Sequence, residues 1–120
     1  MALVYVELED RYKPKNPDNE ITVSAKIGDV GDIAGAYIIF QDLSLKAVNQ
    51  PAQLGKASSL IGKDVLISVT IPDVLEETNW TSVTIFVDEG GNRTTYGPYP
   101  KKLPNDLDTA CYIIKIRFEE

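Results

Sequence analysis

Apolar and polar residues alternate along most of this chain with a period of two, the period of a β-strand whose successive side chains point to opposite faces. Val4, Val6 and Leu8 share one face of a first predicted strand. Arg11 to Asn19 interrupts it with two prolines and two asparagines, residues that favour turns and partly extended loops. Alternation resumes with Ile21, Val23, Ala25 and Ile27 against Thr22, Ser24 and Lys26. Gly28 to Asp32 reads as a turn, and residues 35–41 are apolar on both faces, as in a strand covered on both sides.

Leu43 to Val48 alternates weakly and predicts a short strand. Asn49 to Gly62 carries Pro51, Gly55 and Gly62, which argue against a long helix and leave room for a turn or two near Ala52 or Ser58. The strongest alternation follows: Val65, Ile67, Val69 and Ile71 on one face, Leu66, Ser68 and Thr70 on the other, ended by Pro72. A polar connection, Asp73 to Asn79, leads to a strand over Trp80 to Val87, with Thr81, Val83, Ile85 and Val87 opposite Ser82, Thr84 and Phe86. Asp88 to Asn92 is a tight-turn signal with two glycines, and Arg93 to Tyr99 reads as the hairpin partner, placed at an edge by Pro98. After a loop over Pro100 to Asp108, Tyr112, Ile114, Ile116 and Phe118 line one face of a last strand, with Lys115, Arg117 and Glu119 outside it.

Seven or eight strands with regularly spaced turns and no long helical period predict an all-β fold. The expected form is one antiparallel two-sheet β-sandwich over residues 1–120, of immunoglobulin- or fibronectin-like architecture, with a small β-barrel as the alternative. The likeness is one of architecture only, because Cys111 is the sole cysteine and the paired core cysteines of immunoglobulin domains are absent. Its strand-like surroundings make Cys111 a small apolar residue of the interior.

Twelve basic residues against eighteen acidic ones give a formal charge of -6, which opposes binding to nucleic acids and anionic membranes. There is no basic-then-apolar leader at the N-terminus and no run of about 20 apolar residues. The location expected by default is therefore the cytoplasm or an assembled particle, with a leader already removed as the alternative.

The absence of histidine changes the functional picture most. It removes the Ser-His-Asp triad, the imidazole base and the His-ligated metal, and it leaves Cys111 without its usual activating partner. Gly55 to Asp64 has the outline of a phosphate loop. It lacks the second glycine at the required spacing, where Ala57 stands, and presents Asp64 where a hydroxyl is needed. Carboxylate pairs such as Glu7 with Glu9 or Glu76 with Glu77 read as solvated surface charge, which makes a carboxylate-only hydrolase the least favoured reading. Neither a catalytic residue nor a cofactor is assigned.

Three binding possibilities remain. Asp29, Asp32, Asp106 and Asp108 are weak calcium candidates, since loops at one end of a sandwich can gather oxygen ligands, though the ordered calcium-loop spacing is missing. Trp80, Tyr96 and Tyr99 surround the predicted hairpin and are candidates for stacking on a sugar, which makes a carbohydrate-binding module the second reading. The first reading rests on apolar residues at positions facing away from the expected core: Leu66, Phe86, Ile113 and, within residues 37–40, Ile39. On one sheet they would form a patch that a partner protein or a second copy of the chain covers. The sequence thus favours a non-catalytic interaction or structural module.

Overall fold

The computed structural model describes residues 2–28, 35–72, 80–105 and 108–120. Among these residues nine strands form two sheets packed face to face, and neither sheet closes into a barrel. The strands are β1 (Leu3–Tyr12), β2 (Glu20–Ile27), β3 (Ala36–Gln41), β4 (Ser44–Val48), β5 (Ala52–Lys56), β6 (Asp64–Pro72), β7 (Trp80–Glu89), β8 (Asn92–Lys102) and β9 (Thr109–Phe118). One sheet runs β1-β9-β6-β3-β4 and the other β5-β2-β7-β8. The sandwich architecture is the one the alternation predicts. Its strand order differs from the ABED and CFG sheets of immunoglobulin constant domains.

The core follows from the period-two faces. Val65, Ile67, Val69 and Ile71 of β6, Val83, Ile85 and Val87 of β7, and Tyr112, Ile114, Ile116 and Phe118 of β9 are all completely buried. Branched aliphatic side chains suit these half-buried pleated surfaces, and removing any of them from water is worth about 1.5–3 kcal/mol. Tyr12 closes one end of the core by packing its ring on Phe118, with centroids 5.5 Å apart.

Two hairpins have two-residue turns with both central residues at positive φ. Gly90 (54°) and Gly91 (87°) join β7 to β8, the residue type such a turn favours. Asp42 (49°) and Leu43 (66°) join β3 to β4, where a leucine at positive φ is unusual.

Three features depart from the sequence expectation. β5 lies in the stretch predicted only to turn, and a short 3-10 turn, Ala57–Ser59, follows it. β8 runs to Lys102, into the predicted loop. The first and last strands are neighbours and run parallel, Leu3 beside Thr109 and Tyr12 beside Phe118, so this one pair departs from an all-antiparallel sandwich.

Candidate functional site

The register places the outward-facing residues of the five-stranded sheet in cross-strand rows. One row reads Glu7, Ile113, Ser68, Ile38, Val48, and the next Glu9, Lys115, Leu66, Phe40, Leu45. Ile38, Phe40, Leu66 and Ile113 are half-buried by one another on this outer face. Leu45 and Val48 extend the apolar area to β4 and are 58% and 48% exposed, and Leu43 at the hairpin tip is 93% exposed. A shallow cavity of about 300 Å³ opens here, between Phe40, Leu43 and Leu66 on the apolar side and Asp42, Asp64 and Lys115 on the polar side.

Beside it lies a charged cleft of about 490 Å³, bounded by β1, β6 and β9. Its cations face acids: Lys115 Nζ is 2.8 Å from Glu9 Oε1, Arg117 lies 3.3 Å from Asp64 and Arg11 lies 3.3 Å from Glu119. The hydrogen bond between Lys115 and Glu9 raises the lysine and lowers the glutamate. These pairs are solvated, so they contribute little to stability.

Leu66 and Ile113 sit together on this face, as the sequence predicts, and Ile38 and Phe40 join them. Two candidates do not. Ile39 points inward and is completely buried, because its neighbours in phase are Ile67 and Ile114. Phe86 belongs to the other sheet, between Ser24 and Thr95, and the Arg93 guanidinium covers its ring at 4.3 Å. Cys111, expected in the interior, instead lies half-buried on the outer face beside Tyr5 and Thr70.

The three aromatic candidates are split between two faces. Trp80 lies on the outer face of the four-stranded sheet, paired with Lys102, and is 54% exposed. Tyr96 and Tyr99 pair with Ile85 and Val83, whose side chains point inward, and both rings pack partly buried against the core. A bulge at Gly97 and Pro98 lets two tyrosines three residues apart share that face. A side chain at Gly97 would meet Val83 O at 2.9 Å. Tyr96 donates to the Arg11 carbonyl at 2.8 Å and Tyr99 donates to Asp10, so both tie β8 to β1 across the open side of the sandwich. Burial, followed by the hydrogen bond to Asp10, raises the Tyr99 hydroxyl. These tyrosines fasten two sheet edges and do not build a flat platform with Trp80.

Of the calcium candidates, Asp29, Asp32 and Asp106 lie outside the described residues. The Asp108 carboxylate is 2% exposed and accepts from the backbone N–H groups of Ala2 (2.9 Å) and Asn105 (3.1 Å), which anchors the start of β1. Among the described residues no cluster of three or more acidic or cysteine side chains is placed to hold a metal ion.

Glu89 is a buried carboxylate that the sequence reading passed over. It ends β7 in the inward phase of Thr81, Val83, Ile85 and Val87 and is 1% exposed. It accepts from Tyr12 Oη, from Asn19 Nδ2 at 2.8 Å and from the backbone N–H groups of Lys15 and Asn16 at 2.9 and 3.0 Å. Burial pushes its pKa up, but these donors outweigh burial and bring it down to about 2. Extending the β7 alternation by one step would have placed Glu89 on the core face.

A scan against protein-family models finds no match, and comparisons with curated proteins and with solved structures find no significant one. Among the described residues no helix is long and apolar enough to cross a membrane.

Proposed function

We propose that this chain is a non-catalytic interaction or structural module that works by protein–protein contact, self-assembly included, through the outer face of its five-stranded sheet. The observation that carries this reading is the continuity of Ile38, Phe40, Leu66 and Ile113 across β3, β6 and β9, prolonged by Leu45 and Val48. Isolated exposed apolar residues are ordinary, whereas a connected apolar area on one face marks a contact surface. The titrating groups support the same reading. Among the described residues whose pKa values move, tyrosines, Lys115 and Arg93 rise while Glu9 and Glu89 fall, away from the neutral range that a general acid or base uses.

Sedimentation velocity from micromolar to millimolar concentration tests the self-assembly form of the proposal. Wild-type protein is expected to associate as concentration rises and Leu66→Lys to remain monomeric. Retention on a phenyl matrix tests the surface itself and should fall sharply for Leu66→Lys and Ile113→Lys. Unchanged retention in both variants would overturn the assignment of this face.

A further inference from the structure

Among the described residues the sandwich has four sheet edges, and three carry features that discourage pairing with another strand. β8 holds the Gly97–Pro98 bulge, Pro100, Lys101 and Lys102. β5 has five residues and an irregular register against β2. β4 also has five residues, and its register shift against β3 leaves Lys46 without a partner. Short length, bulges, proline and lysine are the devices that keep edges from pairing. β1 has none of the four: it is ten residues long, contains no proline or lysine and pairs with β9 without a break in register, and its charged residues are Glu7, Glu9, Asp10 and Arg11.

Hydrogen bonds fix which β1 residues offer backbone groups to a newcomer. Thr109 N donates to Ala2 O and Glu119 N donates to Tyr12 O, so the even-numbered residues turn their polar groups toward β9. In a parallel pair the alternate residues face away. Arg11 confirms the phase, since its carbonyl accepts from Tyr96 Oη on the far side. Leu3, Tyr5, Glu7 and Glu9 therefore direct N–H and C=O groups outward, and among the described residues none of these groups meets a hydrogen-bond partner outside the β1–β9 ladder.

We propose that the Leu3–Glu9 edge of β1 accepts an extended segment of a partner protein as an added strand, one that alternates basic with apolar residues. Main-chain hydrogen bonds would hold it, and the alternation would select it. The basic face is specified at the Glu7 end of the edge, where Glu7 stands exposed beside Glu9, itself paired with Lys115, in a chain of net charge -6, while Leu3 and Tyr5 leave the other end apolar. The apolar face is specified by Val4, Val6 and Leu8, which point toward the sandwich interior yet stay only half-buried. A second copy of β1 matches this edge less well, because it brings Glu7 and Glu9 where the edge calls for basic residues. Antiparallel registers centred on Glu7 or Leu8 set acid against acid, although one centred on Val6 sets Glu7 against Tyr5. This inference rests on the protein-contact reading above but uses the edge of the sheet, not its outer face.

The test is a titration of the intact chain, followed by amide NMR, with three synthetic octapeptides: alternating Lys-Val, alternating Glu-Val, and Lys-Val in blocks. The Lys-Val peptide is expected to shift and protect the amides of Tyr5, Glu7 and Glu9 and to bind at least tenfold tighter than the other two. Glu7→Pro removes an outward N–H and leaves the β9 ladder intact, so it should weaken binding tenfold or more with an unchanged fold. Glu7→Gln should weaken it a few-fold and reduce its salt dependence. Methylating alternate backbone nitrogens of the peptide should abolish binding without touching the protein, which keeps the test decisive if Glu7→Pro misfolds. No response at millimolar peptide, or equal binding of the Glu-Val peptide, would overturn the proposal. Protection of Tyr5, Glu7 and Glu9 that grows with protein concentration alone would overturn it in favour of a second copy. Shifts centred on Leu66 and Phe40, lost in Leu66→Lys, would overturn it while sustaining the outer-face reading.

Discussion

The two outer faces of this sandwich do different things with the same architecture. On the four-stranded sheet, outward positions are filled by Thr22, Ser24, Lys26, Ser82, Thr84 and Asp88. Of the two large apolar side chains on this face, Phe86, in the middle, lies under Arg93, while Trp80 lies at the end of β7 beside Lys102. On the five-stranded sheet the equivalent positions hold Ile38, Phe40, Leu66 and Ile113 with no such cover among the described residues. A sandwich folds with a polar outer face, as the smaller sheet demonstrates. Among the described residues the apolar face is thus more than folding requires, and the proposed contact with another molecule would give it a use. The same contrast separates polar groups that the chain satisfies internally, such as Glu89, from surface that the described residues leave uncovered.

Substitutions that break the internally satisfied side should cost folding stability, and the cost should shrink toward the apolar face. Glu89→Ala strands four donors, from Tyr12, Asn19, Lys15 and Asn16, and is expected to destabilise the fold by about 3–5 kcal/mol in urea denaturation. Acid should do part of the same thing. Because the Glu89 pKa falls from 4.5 to about 2 in the folded protein, its stabilisation is complete above pH 4.5 and is lost as pH drops toward 2. That loss is on the order of 2–3 kcal/mol, visible as a falling melting temperature between pH 5 and pH 2 that is smaller in Glu89→Gln. Tyr99→Phe removes one tie between β8 and β1 and should cost about 1–2 kcal/mol. Leu66→Thr should change the stability of the monomer by less than about 1 kcal/mol while altering association. An equally large folding cost at Leu66 and at Glu89 would erase the distinction between the two regions.

Much of the fold was legible because β6, β7 and β9 alternate cleanly over seven or more residues. β5 was not, since Ala52 and Leu54 are its only two inward apolar residues and Gly55, at φ 90°, sits at a register irregularity. Alternation gives the faces of a strand but not its neighbour or direction, so the parallel β1–β9 pair left no mark in the sequence. The same limit governs the site. Leu66 and Ile113 were found by phase, whereas Phe86 was assigned to the wrong company because sheet membership is a long-range property. Ile39 was misplaced by one residue in a run that is apolar on both faces, where period two carries no information. Nearness to the hairpin groups Tyr96 and Tyr99 with Trp80, but it does not give their faces, and the Gly97–Pro98 bulge turns both tyrosines inward, away from Trp80.

The parallel pairing of β1 with β9 has a mechanical consequence. Ala2 lies next to Thr109 and Tyr12 next to Phe118, so the chain enters at one end of the ladder and leaves at the other, about 33 Å away for ten residues of strand. Tension applied between residues 2 and 120 would run lengthwise along this seam. The bonds joining the two strands would then bear the pull together in shear and would not open one after another like a zip.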